Sequence, residues 1–508
     1  MDPVLLGLAR NPALPRTLVA SLTALAAADP DDELAARLAG RPDLDGAQVA
    51  ALAAQVPASL VPLVRAGRLT ADDVDPAARP DAALALLDEG RGTPAWARRF
   101  AADPDRAYRE ALAACPGLPP DVVDVLAGDP DVRVVAELAL WGAPGMAARL
   151  AAHPSAQVRR AVACDEAAPP DVLTALVTGE GMPPVRRCQV CDQEEVPFAH
   201  DPSCPRADCE LPAGASCDGT HASALHDVVL AALLNPATPA DGVSGLAADP
   251  SSLLRAAVAA RPGLPRDVYA RLAEDPVPGV RESLAGNPSI EAGVFRTLAG
   301  DRYDEVRRAL AHHPRVPWDV LARLAASTRV GAVLLPRVAA ASPAEVRDLA
   351  ASARPELRVL VARRRDLPAP VRDALAGDAD AKVAGAVAGH PGLPESLLRM
   401  LTRRHGDRVA AAVASRPDVP AELLEELALR EPPVRKALRA TARQPHAPGP
   451  ALLVCLRDAR ARQDAAGHPG LPPSVVTGLL DDPDEAVAEK AAANPSLPRP
   501  VMAARVLG

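Results

Sequence analysis

The chain has 508 residues, a net charge of −9, 49% hydrophobic residues and only 2% aromatic residues. An excess of acid over base argues against a general polyanion-binding surface, which needs concentrated positive charge, so nucleic acid is disfavoured as a partner. A core this poor in aromatics must be Ala, Leu and Val, and the 56 prolines recur at regular intervals, as helix punctuation does.

The chain starts MDPVLLGLARNP, with neither a basic leader nor a long apolar run behind it. No stretch reaches the roughly 18 apolar residues of a membrane span. A cytoplasmic location with reduced thiols is the expectation.

An Asn, Arg or His before Pro recurs along the chain at a step of about 26 residues. Residues 1–181 read as helical repeats on this step. Asp29 precedes Pro42, and Asp103 precedes Pro116, each by half a step. Cys115-Pro116-Gly117-Leu118-Pro119 starts one unit, and Ala168-Pro169-Pro170-Asp171-Val172 lies in another. Residues 43–100 follow the register loosely, with Arg79-Pro80 as an anchor. Residues 182–224 break it. Residues 225–508 resume it, with Asn235-Pro236, Arg261-Pro262, Asn287-Pro288 and His313-Pro314 each one step apart. Residues 328–364 are degenerate, and Asp366-Leu367-Pro368 restores the register. The same step joins His390-Pro391 to Arg416-Pro417, slips over 440–467, and joins His468-Pro469 to Asn494-Pro495. At this step the chain holds roughly 15 to 18 units.

Residues 262–287 illustrate one unit. Leu264-Pro265 predicts a first helix with Pro265 in its first turn and Val268 and Leu272 on one face. Asp275-Pro276 predicts a second helix, Asp as N-cap and Pro at the first position, with Val280, Leu284 and Ala285 inward and Arg281 pointing elsewhere. Asn287 before Pro288 ends it. Helices of about ten residues do not persist alone in water, so neighbouring units must hold them. The fold expected is all-α: a solenoid of stacked short helix pairs.

The strings NPSI (287–290), HPGLP (390–394 and 468–472) and NPSLP (494–498) are each followed by Val/Leu-x-x-x-Leu, then often by Asp-Pro-x-x-x-Val-Arg. This unit resembles the leucine-rich repeat variant (LRV) family across most of the chain outside 182–224. The resemblance implies a right-handed superhelix of alternating α and 3-10 helices without strands. HEAT-like stacking is the close alternative.

The break in the register is rich in cysteine. Residues 184–221 hold Cys188, Cys191, Cys204, Cys209 and Cys217, with His200 and His221, in the pattern C-x2-C-x12-C-x4-C-x7-C-x3-H. A C-x2-C turn faces two thiolates toward one ion, and a second pair completes a tetrahedron. The segment has little to bury and needs an external staple to fold. These seven residues are the candidate metal ligands. Zinc suits C-x2-C plus C-x4-C, with His200, Cys217 or His221 as alternates. The LRV resemblance implies instead a [4Fe–4S] cluster, because a cysteine-rich iron–sulfur segment accompanies such repeats. Cys217-Asp218-Gly219-Thr220-His221 also has a weaker likeness to a [2Fe–2S] site of the CDGSH type. Cys115, Cys164 and Cys455 read as small buried residues within repeats.

Arg159, Arg255, Arg281, Arg307 and Arg435 each follow a Val or Leu in the second helices. They read either as solvated arginines paired with acids or as a groove for an acidic partner. Arg363-Arg364-Arg365 reads as a solvated basic loop. His313, His390 and His468 read as helix terminators whose side chains meet free carbonyls. Trp96, Trp141 and Trp318 do not recur in phase, so no base-stacking surface is expected.

No phosphate-binding loop, nucleophile elbow, zinc-protease helix or dinucleotide fingerprint occurs. The expectation is a non-catalytic scaffold that binds a protein partner and carries a metal or iron–sulfur site. A redox or metal-sensing protein is the alternative, and a nucleic-acid-wrapping repeat protein the least favoured one.

Overall fold

The structure is a computed structural model describing residues 2–28, 32–141, 145–192, 198–200 and 214–508. Among these residues it is all-α: 34 α-helices, with 3-10 turns confined to Pro57–Ser59, Ala71–Asp73, Ser244–Ala248 and Leu479–Asp481. One antiparallel pair of two-residue strands, Phe198–Ala199 with Ser216–Cys217, lies in the cysteine-rich segment. The helices gather into two compact units, Met1–Leu69 with Ala332–Gly508, and Thr70–Gly331. No helix is long and apolar enough to cross a membrane.

The core of each unit is the Ala, Leu and Val stripe of stacked helix pairs. Val280, Leu284 and Ala285 are fully buried, as their spacing predicts. The helix starts differ from the sequence reading. Pro265 is the N-cap of Arg266–Leu272, in extended conformation, rather than a residue of its first turn. The second helix is Pro278–Ala285, and its N-cap is Val277, not Asp275. The Asp275 carboxylate does accept a backbone bond, from the Val277 N–H at 2.9 Å. It also takes Arg255 Nε from the preceding repeat at 2.7 Å. The carboxylate thus closes an Asx turn over Val277 while it binds the arginine, and the helix starts after that turn.

Arg281 does not point away. It is buried, and it clasps Asp301 of the next repeat through Nε at 2.5 Å and Nη2 at 3.1 Å. The same bidentate pair joins Arg109 to Asp129, Arg255 to Asp275 and Arg358 to Asp378, always at the same sequence offset. Each of these arginines also donates from Nη1 to a carbonyl at the start of its own helix turn: Asp103, Asp249, Asp275 and Ser352. Arg307 keeps that carbonyl bond, to Asp301, but meets Thr328 where its sisters meet Asp. The arginines therefore form a ladder between repeats. Arg435 is the exception, with 85% of its side chain exposed.

A second ladder runs through the residue before each repeat proline. Asn287 Nδ2 donates to the Ala259 and Arg261 carbonyls at 2.7 and 2.6 Å. Arg261 Nη1 donates to the carbonyls of Leu233 and Asn235. His313 Nε2 meets the Asn287 carbonyl at 2.9 Å, and His468 Nε2 meets that of Gln444 at 2.7 Å. The histidines do reach free carbonyls, but those of the preceding repeat's helix end. Each side chain thus satisfies orphan helix-end acceptors one unit away.

In the unit that holds Met1–Leu69 and Ala332–Gly508, this ladder continues from Asn494 to Asn11. Asn494 Nδ2 donates to the Ala466 and His468 carbonyls. Asn11 Nδ2 donates to the Ala492 and Asn494 carbonyls, both at 2.8 Å. Arg41 then takes Ala9 and Asn11. Helix Pro3–Arg10 lies on Glu485–Ala492 as the next repeat would. A Cβ at Gly7 would stand 2.2 Å from the Glu489 carbonyl oxygen, so this approach requires glycine.

Candidate metal centre

The cysteine-rich segment is an insertion within one repeat. The first helix of that repeat is Pro170–Thr178 and its second is Ala222–Leu234. The anchor ladder passes across the insertion: Asn235 Nδ2 donates to the Ala163 and Asp165 carbonyls at 2.9 and 2.7 Å. Two flanking features tie the segment to the stack. At one root, Arg186 N–H donates to the Pro154 carbonyl and Ala156 N–H to that of Arg187, both at 2.9 Å. At the other, His221 is the N-cap of the long helix Ala222–Leu234. Arg159 has Gly179 at the ladder offset, where Arg109, Arg255, Arg281 and Arg358 have Asp, and donates instead to the carbonyls of His153 and Pro183, both at 2.7 Å. Burial without a carboxylate partner lowers its pKa.

The two roots bring Cys188, Cys191, Cys217 and His221 together, with all four ligand atoms within 4.8 Å of one another. Cys188 Sγ and Cys191 Sγ are 3.6 Å apart. His221 Nδ1 is 3.7 Å from Cys191 Sγ and 3.4 Å from Cys217 Sγ. Ligands of one tetrahedral zinc, with Zn–S about 2.3 Å and Zn–N about 2.0 Å, stand about 3.5 to 3.8 Å apart.

Local sequence explains the geometry. Cys188 N–H donates to Cys191 Sγ at 3.1 Å, and Gly219 N–H to Cys217 Sγ at 3.4 Å, which fixes where both sulfurs sit. Gly219 has φ +89° and His221 φ +56°, both left-handed. Asp218 receives the Thr220 N–H and hydroxyl, at 3.0 and 2.6 Å, and holds this bend so that the imidazole folds back on Cys217. A left-handed His is costly and persists only where its surroundings impose it. Arg187 Nε on Asp192 Oδ1 at 2.7 Å braces the C-x2-C turn from both sides. Burial pushes the Cys188 thiol up to about 12, so a cation entering the site displaces its proton. Cys188, Cys217 and His221 are buried, and among the described residues these four make up the set. Closed four-ligand sites are structural, because no position is left for a reacting water.

Of the seven sequence candidates, the structure assembles these four. His200 is buried in the small hairpin, where its N–H meets the Ala215 carbonyl and its carbonyl takes the Gly214 N–H; it is not part of the cluster. Cys204 and Cys209 lie outside the described residues. Among the described residues the second half of the set is C-x3-H, from the alternates. The Arg187–Asp192 brace escaped the sequence reading, although opposite charges flanking C-x2-C are a readable signal. Cys115 and Cys455 are buried as predicted, and burial pushes both thiols up to about 12. Cys164 is exposed, because its helix Ala156–Cys164 ends there.

Comparison with family models finds no match, and none of the curated proteins matches. Among solved structures, one of the Pds5–Scc1 complex is similar over 92% of this chain, with 12% identity and a TM-score of 0.13. The alignment spans 61% of that chain's length.

Proposed function

We propose that the chain is a non-catalytic protein-binding scaffold of LRV-like repeats, stapled at its insertion by one structural zinc ion on Cys188, Cys191, Cys217 and His221. The observation that carries the metal reading is the spacing of 3.4 to 3.7 Å between neighbouring ligand atoms. That is the edge of a single-ion tetrahedron. An iron–sulfur cluster takes its thiolates on separate irons and spreads them wider, and three thiolates with one imidazole on one centre favour zinc.

Stacked helix pairs present repeated surfaces suited to a protein partner. The ladder arginines Arg109, Arg255, Arg281 and Arg358 are consumed by carboxylates of the next repeat, which removes the motive for a polyanion groove along them. Purification of the full chain under mild, anaerobic conditions tests both parts. Expected are a stoichiometric protein partner and a colourless preparation with one zinc per chain. Iron with acid-labile sulfide would overturn the zinc assignment, and repeated recovery without any partner would overturn the scaffold.

A further inference from the structure

The run Arg363-Arg364-Arg365 borders a cavity of about 880 Å³ in the unit that holds Ala332–Gly508. It is formed by the end of helix Pro355–Val361, helix Ala381–Val387 and the segment before Pro336–Ala339. Its walls include Leu334, Val359, Arg363, Arg365, Lys382 and His390.

The charges in this cavity are unbalanced. Arg364 is neutralised by Asp366, with Nε–Oδ1 at 2.9 Å and Nη2–Oδ2 at 2.6 Å, and serves the anchor ladder through the Val338 and Ala341 carbonyls. Arg363 is half-buried and donates only to the Val333 carbonyl at 3.2 Å; burial lowers its pKa and no carboxylate acts on it. Arg365 donates to the Gly389 carbonyl at 3.0 Å. Among the described residues, neither these two arginines nor Lys382 has a carboxylate partner. Arg109, Arg255, Arg281 and Arg358 are each matched to an acid of the next repeat, whereas Arg363, Arg365 and Lys382 line this one cavity without an acid. The half-buried Arg363 gains most from an anion that supplies the missing charge.

His390 adds a second departure. In His313 and His468, Nδ1 accepts the N–H two positions on, from Arg315 at 3.0 Å and Gly470 at 2.9 Å. At His390 the equivalent N–H, that of Gly392, goes to Asp418 instead, at 2.8 Å. His390 Nδ1 is left buried without a hydrogen-bond partner on the wall of the cavity.

We propose that this cavity binds a small phosphate-bearing molecule. Arg363, Arg365 and Lys382 hold its phosphate oxygens, and Leu334 and Val359 cover its apolar part. The volume lies in the range of small-molecule sites, and the planar guanidinium fork suits phosphate oxygens.

Titration calorimetry of the full chain with inorganic phosphate, then with pyrophosphate, tests this. The expected result is saturable one-to-one binding that weakens with added salt and tightens from phosphate to pyrophosphate. The double variant Arg363→Ala/Lys382→Ala weakens it by about tenfold or more, whereas Arg266→Ala, an exposed arginine elsewhere, leaves it unchanged. Both substituted side chains are at least partly exposed, and circular dichroism checks that each variant keeps its helices. No saturable heat with either probe, or equal binding by the double variant, would overturn the proposal.

Discussion

Asn287 shows how one side chain carries an inter-repeat joint. Its amide donates twice to the preceding repeat and its oxygen accepts the Ser289 N–H at 2.8 Å, all at a site 1% exposed. Asn287→Ala leaves the Ala259 carbonyl buried without its donor, while that of Arg261 keeps the Tyr269 hydroxyl at 2.8 Å, and we expect a loss of about 1 to 3 kcal/mol in urea unfolding. Asn287→His should retain part of that stability, since His313 fills the same role. The Arg–Asp ladder adds a pH dependence. The Arg358 hydrogen bond, working against burial, holds the Asp378 carboxyl below the usual carboxylate range. For Asp275 and Asp301 burial acts upward, and the arginine hydrogen bonds and charges outweigh it. A carboxyl lowered on folding stabilises above its unfolded pKa of about 3.9 and loses that stability as pH falls through the folded value. Stability should therefore hold from neutral pH to about 4 and drop below it, and Asp378→Asn should lessen that drop in acid titrations followed by circular dichroism. The repeat anchors were legible as residues, because an Asn, Arg or His before Pro recurs at one step. Their partners were not, since a carbonyl one whole repeat away leaves no mark in composition. For the same reason Asp275 read as a cap: only the fold shows that Arg255, in the preceding repeat, claims it.

At the scale of the helix, the second elements Pro278–Ala285 and Ser252–Ala260 start after an Asx turn and run eight and nine residues. Two full α turns fit, and 3-10 geometry is left to four short segments. The seating of helix Pro3–Arg10 on Glu485–Ala492 depends on one missing side chain. Gly7→Val places atoms against the Glu489 carbonyl and Ala492 Cβ. We expect about 1 to 3 kcal/mol of destabilisation and faster amide exchange in both residues 3–11 and 485–494, with little change in 70–331. Exchange altered at 3–11 alone would show that the two helices do not support each other. Asn11-Pro12 has the anchor signature, followed by Leu14-Pro15, so the sequence marks residues 3–15 as a repeat. What it does not show is which repeat lies beneath, because that neighbour is far away along the chain.

At the scale of the molecule, two ladders and the proposed metal knuckle do the work that large aromatic side chains do in other cores. Inside the unit Thr70–Gly331, the insertion splits the two helices of one repeat, and the cluster draws its roots together. Removing the ion by chelation should lower the unfolding temperature. The lost binding free energy is about 4 kcal/mol for free zinc at roughly a thousand times its dissociation constant. Cys217→Ser should reproduce that loss without chelator, and Cys164→Ser, outside the cluster, should not. The existence of a Cys/His cluster was legible from C-x2-C and the failure of the repeat step. The choice of Cys217 and His221 was not, because it depends on the left-handed bend at Gly219 and His221 that folds the imidazole back. X-ray absorption at the metal edge of the purified full chain tests the central claim most directly. It should show one zinc with three sulfur neighbours at about 2.3 Å and one nitrogen at about 2.0 Å, as expected for a Cys3His site. Iron with bridging sulfide, or zinc bound by four sulfurs, would contradict it.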